Sequence, residues 1–159
     1  MTTIREIRRD EVELVTDLYL ELCRSLSERD AEWGVPDREP IRRWIERTTE
    51  TDEAVCLVPE IEGRAAGYLL ASVSRHPAMP GVTGELEELY VRPGPERDPA
   101  MRELVEAGVG WARARDAGVV VGTVGLDAPW TDEELGFWSS LDFERETAEV
   151  KRYYLDGCD

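Results

Sequence analysis

The sequence predicts an α/β (α+β) domain with a mixed, mostly antiparallel sheet. Strand and helix patterns follow one another in the order β-α-α-β-β-β-α-β-α-β, and the three consecutive strand patterns favour antiparallel pairing. A helical pattern over residues 99–117 lies between two strand patterns, and such a crossover predicts one parallel pair. The chain has 159 residues. This length predicts a single domain over residues 1–159.

The first third of the chain predicts a strand and two helices. Residues 3–9 alternate as a strand, and Asp10 is the expected N-cap of a helix that ends near Arg29. The apolar face of this helix comprises Val12, Val15, Tyr19, Leu22 and Leu26. Pro40 suits the first turn of a short second helix. We expect its inward side chains to be Ile41, Trp44 and Ile45.

The middle of the chain predicts a hairpin, a third strand and the crossover helix. Residues 54–61 and 64–73 flank Glu62-Gly63, a typical hairpin turn, and residues 84–93 predict the third strand. Asp98 as N-cap and Pro99 at the first helical position predict where the long helix begins, and Gly118 predicts its end.

The last part of the chain predicts a strand, a helix and a closing strand. Residues 119–126 form a continuous apolar run, as in the middle of a sheet. Thr131 is the expected cap of a helix over 132–141, and residues 143–155 alternate as the closing strand.

The composition limits the compartment and the partners. The net charge is −16, with 35 acidic and 19 basic residues, which disfavours nucleic acid and anionic membranes as partners. Every basic residue except Lys151 is an arginine, a bias typical of a GC-rich genome or a high-salt host. The N-terminus resembles no signal peptide, so we expect a cytoplasmic protein. Three widely spaced cysteines indicate neither a disulfide framework nor a metal site.

Four segments resemble the GNAT superfamily of acyl-CoA-dependent N-acetyltransferases. They are GRAAGYLLAS, ELEELYVRP, LVEAGVGWARARDAG and GFWSSLDF, and their order covers nearly the whole chain. The resemblance implies a GNAT-like fold whose parallel strand pair is splayed at the cofactor site. It also implies that acetyl-CoA is the cofactor and that the product is an acetylated amine.

The same resemblance implies which residues hold acetyl-CoA. The backbone of Leu89 and Val91 would pair with the pantetheine arm as a pseudo-strand. The other expected cofactor-binding residues are Tyr90, Arg97, Asp98, Ala100, Met101 and Arg102.

The loop before the long helix departs from the family pattern R/Q-x-x-G-x-G/A. In the ungapped register, the family's Arg or Gln falls on Glu96, and its two small residues fall on Pro99 and Met101. If the loop is read two residues earlier, the small residues fall on Arg97 and Pro99, and neither register restores the pattern. Proline has no N–H to donate. An Asp98 N-cap would occupy the free helical amides, and the two acids would repel a pyrophosphate. The loop therefore predicts weak phosphate binding.

The late tyrosine that protonates the departing thiolate in the family is replaced by Trp138, whose indole N–H is no general acid. Ser139, Tyr68 or water are the open alternatives, and the sequence does not decide among them. The resemblance places the region around Trp138 and Ser139 near the leaving sulfur. The glycine that follows in the family is Asp142 here.

Two neighbouring glutamates are the candidate general bases. Strict alternation would place Glu85, Glu87 and Leu89 on one face, and Leu86, Glu88 and Tyr90 on the other. Glu87 and Glu88 would then not share a role. Glu87 is the first choice, because it matches an acidic residue of some polyamine-acetylating relatives.

The expected function is transfer of an acetyl group from acetyl-CoA to an amine of a small molecule or protein. A catalytically degenerate module that keeps the fold for binding is the alternative, because the phosphate loop and the late tyrosine are both lost. A third alternative is an enzyme with another acyl donor. Assembly into a homodimer stays open.

Overall fold

The computed structural model describes residues 2–29, 34–75, 77–78, 80–122 and 132–144. The chain divides into two compact units, residues 1–127 and 128–159, each of which is described by itself. The single domain over residues 1–159 therefore stays a prediction. In the described residues, no helix is both long enough and apolar enough to span a membrane.

Within the described residues, the first unit contains six strands and three α-helices, and the second contains one helix. The elements are β1 (Thr3–Glu6), α1 (Val12–Arg29, preceded by a 3-10 turn at Arg9–Glu11), α2 (Arg38–Thr48), β2 (Ala54–Ile61), β3 (Arg64–Ala65), β4 (Gly67–Ser74), β5 (Val82–Val91), α3 (Arg97–Arg113), β6 (Ala117–Gly122) and α4 (Asp132–Ser139).

The sheet has the order β1-β2-β4-β5-β6, with β3 paired to β2. Only the β5–β6 pair of these described strands is parallel, and α3 is its crossover. The mixed, mostly antiparallel architecture is therefore confirmed. Glu62 and Gly63 have φ values of 52° and 77°, as a two-residue hairpin turn requires.

Two apolar layers cover the two faces of the sheet. One lies under α1 and α2, and comprises Val12, Val15, Leu18, Ile45, Cys56, Val58, Ala65, Tyr68, Leu70 and Tyr90. The expected inward residues of α2 are confirmed: Ile45 is fully buried, and Ile41 and Trp44 pack against this layer. On the other face, a Cβ at Gly108 of α3 would meet Leu69 at 2.6 Å and Leu86 at 2.9 Å. The glycine thus lets α3 approach the sheet closely.

The helix starts differ from the prediction. The N-cap before α1 is Arg8, not Asp10, and the Glu11 carboxylate accepts a hydrogen bond from the Arg8 amide at 2.9 Å. This arrangement is favoured because Glu11 also binds the Arg5 guanidinium at 2.7 Å. A carboxylate that accepts hydrogen bonds from both a helix-start amide and a guanidinium stabilises the helix start more than an aspartate N-cap alone.

The crossover helix also begins and ends earlier than predicted. Its N-cap is Glu96, without a side-chain cap hydrogen bond, so Asp98 is not the cap. It ends at Arg113, and Asp116 with φ 66° takes the left-handed position expected of Gly118. Aspartate tolerates that conformation better than most residues. Gly118 instead lies within β6, where it interrupts the pairing register with β5.

β6 ends the described order of the sheet, and its Val119 and Val121 are 58% and 39% exposed. The prediction that this strand lies inside the sheet depends on the closing strand. Residues 123–126, Thr131 and 145–155, on which those predictions fall, lie outside the described residues.

Candidate functional site

A β-bulge in β5 organises the candidate site. Leu70 of β4 pairs with Glu88, but the next residue, Ala71, pairs with Leu86. Glu87 is therefore the extra residue of β5, and two residues of β5 occupy the place of one. A bulge of this kind breaks the alternation of side chains. The prediction of strictly alternating faces is wrong for this strand.

The bulge brings the two candidate bases together. The Leu86 side chain lies on the face of the sheet that α3 covers, because it is next to Gly108 of α3. Tyr90 and Leu70 belong to the layer under α1. Because Glu88 pairs with Leu70, its side chain lies on this same face of the sheet. Glu87 accepts a hydrogen bond from Ser72 at 2.9 Å. Its negative charge raises the pKa of the neighbouring Glu88.

Glu88 is largely buried and has an unusual protonation equilibrium. Burial raises the pKa of its carboxyl to about 7, and the neighbouring Glu87 carboxylate adds to the rise. In the part of the chain that the structure describes, neither a hydrogen bond nor an ion pair reaches this carboxylate. Such a group changes charge near neutral pH, as a general base must.

The surroundings of Glu88 are aromatic and apolar. Burial, and then the charge of Glu88, raise the pKa values of the Tyr19 and Tyr68 phenols and of the Cys23 thiol. Tyr19 and Cys23 on α1 are partly exposed, whereas Tyr68 is fully buried. The Tyr68 hydroxyl has no hydrogen-bond partner in the described residues.

Among the described residues, part of one edge of β5 has no paired strand, and this part is called the open edge. β6, which is described only to Gly122, pairs with β5 from Val82 to Leu86. On the side of β5 that faces β4, the Arg92 amide donates to the carbonyl of Ala66, the residue before β4, at 3.0 Å. Because backbone groups alternate in direction along an antiparallel pair, the N–H and C=O groups of Leu89 and Val91 point toward the open edge.

The loop before α3 offers few donors for phosphate. The Arg97 amide donates to the Gly94 carbonyl at 3.2 Å, and the Ala100 amide donates to the Glu96 carbonyl at 3.0 Å. Pro99 has no N–H. The Asp98 amide has no acceptor among the described residues. This amide is therefore available to a ligand.

The other side chains of this region have varied surroundings. Ala100 is buried, Met101 is half-buried, and Arg97, Asp98 and Arg102 are exposed. Arg92 is held by Glu21, whose carboxylate accepts hydrogen bonds from Arg92 Nη2 at 3.0 Å and from the Tyr90 hydroxyl at 2.7 Å. Tyr90 thus contributes a buried ring and an occupied hydroxyl.

The remaining predicted residue, Ser139, lies in the second unit. It is the last residue of α4 and is exposed. Its neighbour Trp138 packs edge-to-face against Phe137 and Phe143, with ring centroids at 5.5 Å and 5.0 Å. The indole therefore serves as local packing within this unit, and the role of Ser139 stays a prediction.

The sequence matches the acetyltransferase (GNAT) family model over residues 17–143. No curated protein sequence matches the chain significantly. The fold also resembles solved structures at low sequence identity. An integron cassette protein from the mobile metagenome of Cole Harbour salt marsh has a TM-score of 0.77 and 12% identity, covering 96% of this chain and 90% of that chain.

The similar structures include proteins that are acetyltransferases by name. An aminoglycoside acetyltransferase from an uncultured soil metagenomic sample has a TM-score of 0.69 and 16% identity, covering 97% of this chain and 95% of that chain. Glucosamine-6-phosphate N-acetyltransferase from Arabidopsis thaliana has a TM-score of 0.69 and 17% identity, covering 97% and 99%.

The sheet with one parallel pair and the family match over residues 17–143 together define the class, a domain with the acetyltransferase fold. The chain belongs to the GNAT acetyltransferase family.

Proposed function

We propose that the protein transfers an acetyl group from acetyl-CoA to an amine, with Glu88 as the general base. One observation carries this proposal: the bulge places Glu87 and Glu88 on the same side of β5, beside the open edge of Leu89 and Val91. The family match supports the reaction class.

The residues of the open edge fit the arm of an acyl-CoA. Leu89 and Val91 present backbone donors and acceptors that an extended amide-containing chain can pair with. The Asp98 amide and the Arg97 side chain would face the phosphates. The fit is poorer there, because Pro99 donates nothing and Glu96 is negatively charged. When bound, an acyl-CoA supplies an acyl group activated as a thioester.

The two glutamates have different tasks in this proposal. An alkyl ammonium must lose a proton before its nitrogen can attack a carbonyl carbon. Glu88 accepts that proton, because its pKa of about 7 leaves it ionised and yet basic near neutral pH. Glu87, held by Ser72, adds negative charge that attracts the ammonium. This division replaces the expectation that Glu87 is the base.

The test is an acetyl-transfer assay with a panel of primary amines. Glu88→Gln should lower kcat about 100-fold or more, in the range that removal of a general base costs. The matched control is Glu85→Gln on the same strand, which should change kcat less than about twofold. Equal activity of Glu88→Gln and the wild type would refute the assignment.

The second candidate function is a binding module without transferase activity. It is favoured by the loop, where proline and two acids replace the family's small and basic residues. Titration with acetyl-CoA at low and at molar salt separates the candidates, because salt screens the repulsion of exposed charges. A Kd below about 0.1 mM supports the enzyme. Absence of binding at both salt concentrations supports the module.

A further inference from the structure

A row of aromatic rings leads from α2 to the centre of the sheet beside Glu88. The ring centroids of Trp44 and Tyr19 are 5.8 Å apart, those of Tyr19 and Tyr68 are 6.1 Å apart, and those of Tyr68 and Tyr90 are 6.2 Å apart. Tyr68 is fully buried, whereas Trp44 and Tyr19 keep part of their surfaces exposed. The accessible part of the row is thus an apolar wall.

The carboxylate at the end of this wall lacks a counter-charge. In the described residues, neither a hydrogen bond nor an ion pair reaches the Glu88 carboxylate, and burial together with the Glu87 carboxylate raises its pKa. Among the described residues, no arginine compensates it. A buried carboxylate without a partner is stabilised by a bound cation. An ammonium group beside Glu88 would therefore bind with the rest of its carrier against Tyr19.

The chemistry of the wall discriminates between amine carriers. Aromatic faces bind alkyl and aryl groups and attract cations. The hydroxyl groups of an amino sugar need hydrogen-bond partners, and burying them without partners is costly. Ser72 already donates to Glu87, and Cys23 is a weak hydrogen-bonding group. The Tyr68 hydroxyl is fully buried, and the single hydroxyl of Tyr19 cannot satisfy the several hydroxyl groups of an amino sugar.

Resting on the proposed function, we propose that the site selects a primary amine on an apolar frame, an alkylamine or arylalkylamine, over an amino sugar. The apolar frame lies against Tyr19, and its ammonium group lies beside Glu88. Tyr19 of α1 thus recognises the apolar frame, and Glu88 beside the β5 bulge recognises the ammonium group.

The experiment compares kcat/KM for 2-phenylethylamine and hexylamine with kcat/KM for glucosamine. We expect the apolar amines to exceed glucosamine at least tenfold. Tyr19→Leu, which keeps an apolar side chain but removes the ring, should lower kcat/KM for 2-phenylethylamine at least tenfold and for glucosamine less than twofold. Tyr19→Phe is the matched control and should retain the preference. Thermal unfolding verifies that each variant is folded.

A second readout is the binding of 2-phenylethylamine without an acyl donor, measured by calorimetry. The wild type should bind it at least tenfold more tightly than Tyr19→Leu. Such binding without acetyl transfer would refute the proposed function and leave this inference standing. Transfer to glucosamine as efficient as to the apolar amines, or equal losses for both in Tyr19→Leu, would overturn the inference while the proposed function stands.

Discussion

Two carboxylates of the same unit, the buried Glu11 and the partly buried Glu88, have opposite electrostatic environments. Glu11, at the start of α1, accepts hydrogen bonds from Arg5 at 2.7 Å and 2.8 Å and from the Arg8 amide at 2.9 Å. The hydrogen bond from Arg5 is the main reason that its pKa falls to about 2. Glu88 has no such partner among the described residues, and burial raises its pKa to about 7.

The difference shows that burial alone does not decide the charge of a carboxyl group. Both side chains lose water, but hydrogen bonds and positive charge reverse the effect at Glu11. Glu11 therefore stabilises the folded protein near neutral pH, whereas the ionised form of Glu88 destabilises it. Unpaired buried carboxyls of this kind are frequent at catalytic sites.

The largest effect on stability is expected from Glu11→Gln. Its folded pKa lies below the unfolded value of 4.5. The ionised carboxylate thus contributes about 3 kcal/mol at pH 7, which is lost as the pH falls from the unfolded to the folded value. Urea unfolding should show this loss at pH 7 and a much smaller difference near pH 2. Glu13→Gln, on the exposed surface of α1, is the control and should have little effect.

A smaller change of opposite sign is expected from Glu88→Gln. Because the folded pKa of Glu88 lies above the unfolded value of 4.5, stability is full below 4.5 and is lost as the pH rises through about 7. The glutamine variant avoids this loss and should be about 1–3 kcal/mol more stable than the wild type at pH 8. The two proteins should agree near pH 4. A less stable variant at pH 8 would contradict the unpaired environment.

The smallest effect is expected from Glu87→Gln, which removes the secondary cause of the raised pKa of Glu88. The acidic limb of the pH profile of kcat/KM should move to lower pH, because Glu88 then loses its proton more easily. Burial, the main cause, remains, so the limb should stay above the ordinary range of a glutamate. An unchanged limb would show that the two side chains do not interact.

Much of the fold follows from local patterns, and the bulge shows where such patterns are insufficient. The order of elements and the parallel pair could be predicted, because hydrophobic periodicity determines which face of each element is buried. Leu86 and Leu89 carry the missed signal. Both residues are apolar, and they are three positions apart. Strict alternation would place them on opposite faces of the sheet, whereas one extra residue between them places both on the same buried face.

The start of α3 was misplaced for a related reason. Asp98 and Pro99 are each favoured at several positions of a first turn. Pro99 is the third residue of α3. A proline is tolerated there as well, because an N–H at that position would have no acceptor within the helix. The local sequence therefore does not distinguish the two registers. The ion pair of Glu11 with Arg5 is equally hard to predict from the local sequence. Arg5 also pairs with Glu60 of β2, which is far away in the sequence.

The extra residue in β5 has an evolutionary consequence. The grouping of the two carboxylates depends on this one residue, because Glu87 is the residue that the β-bulge leaves without a partner in β4. Without Glu87, the remaining strand would read as a regular alternation, with Leu86 and Leu89 on one face and Glu88 and Tyr90 on the other. A single in-frame deletion would thus yield a regular strand in which the two carboxylates are no longer grouped.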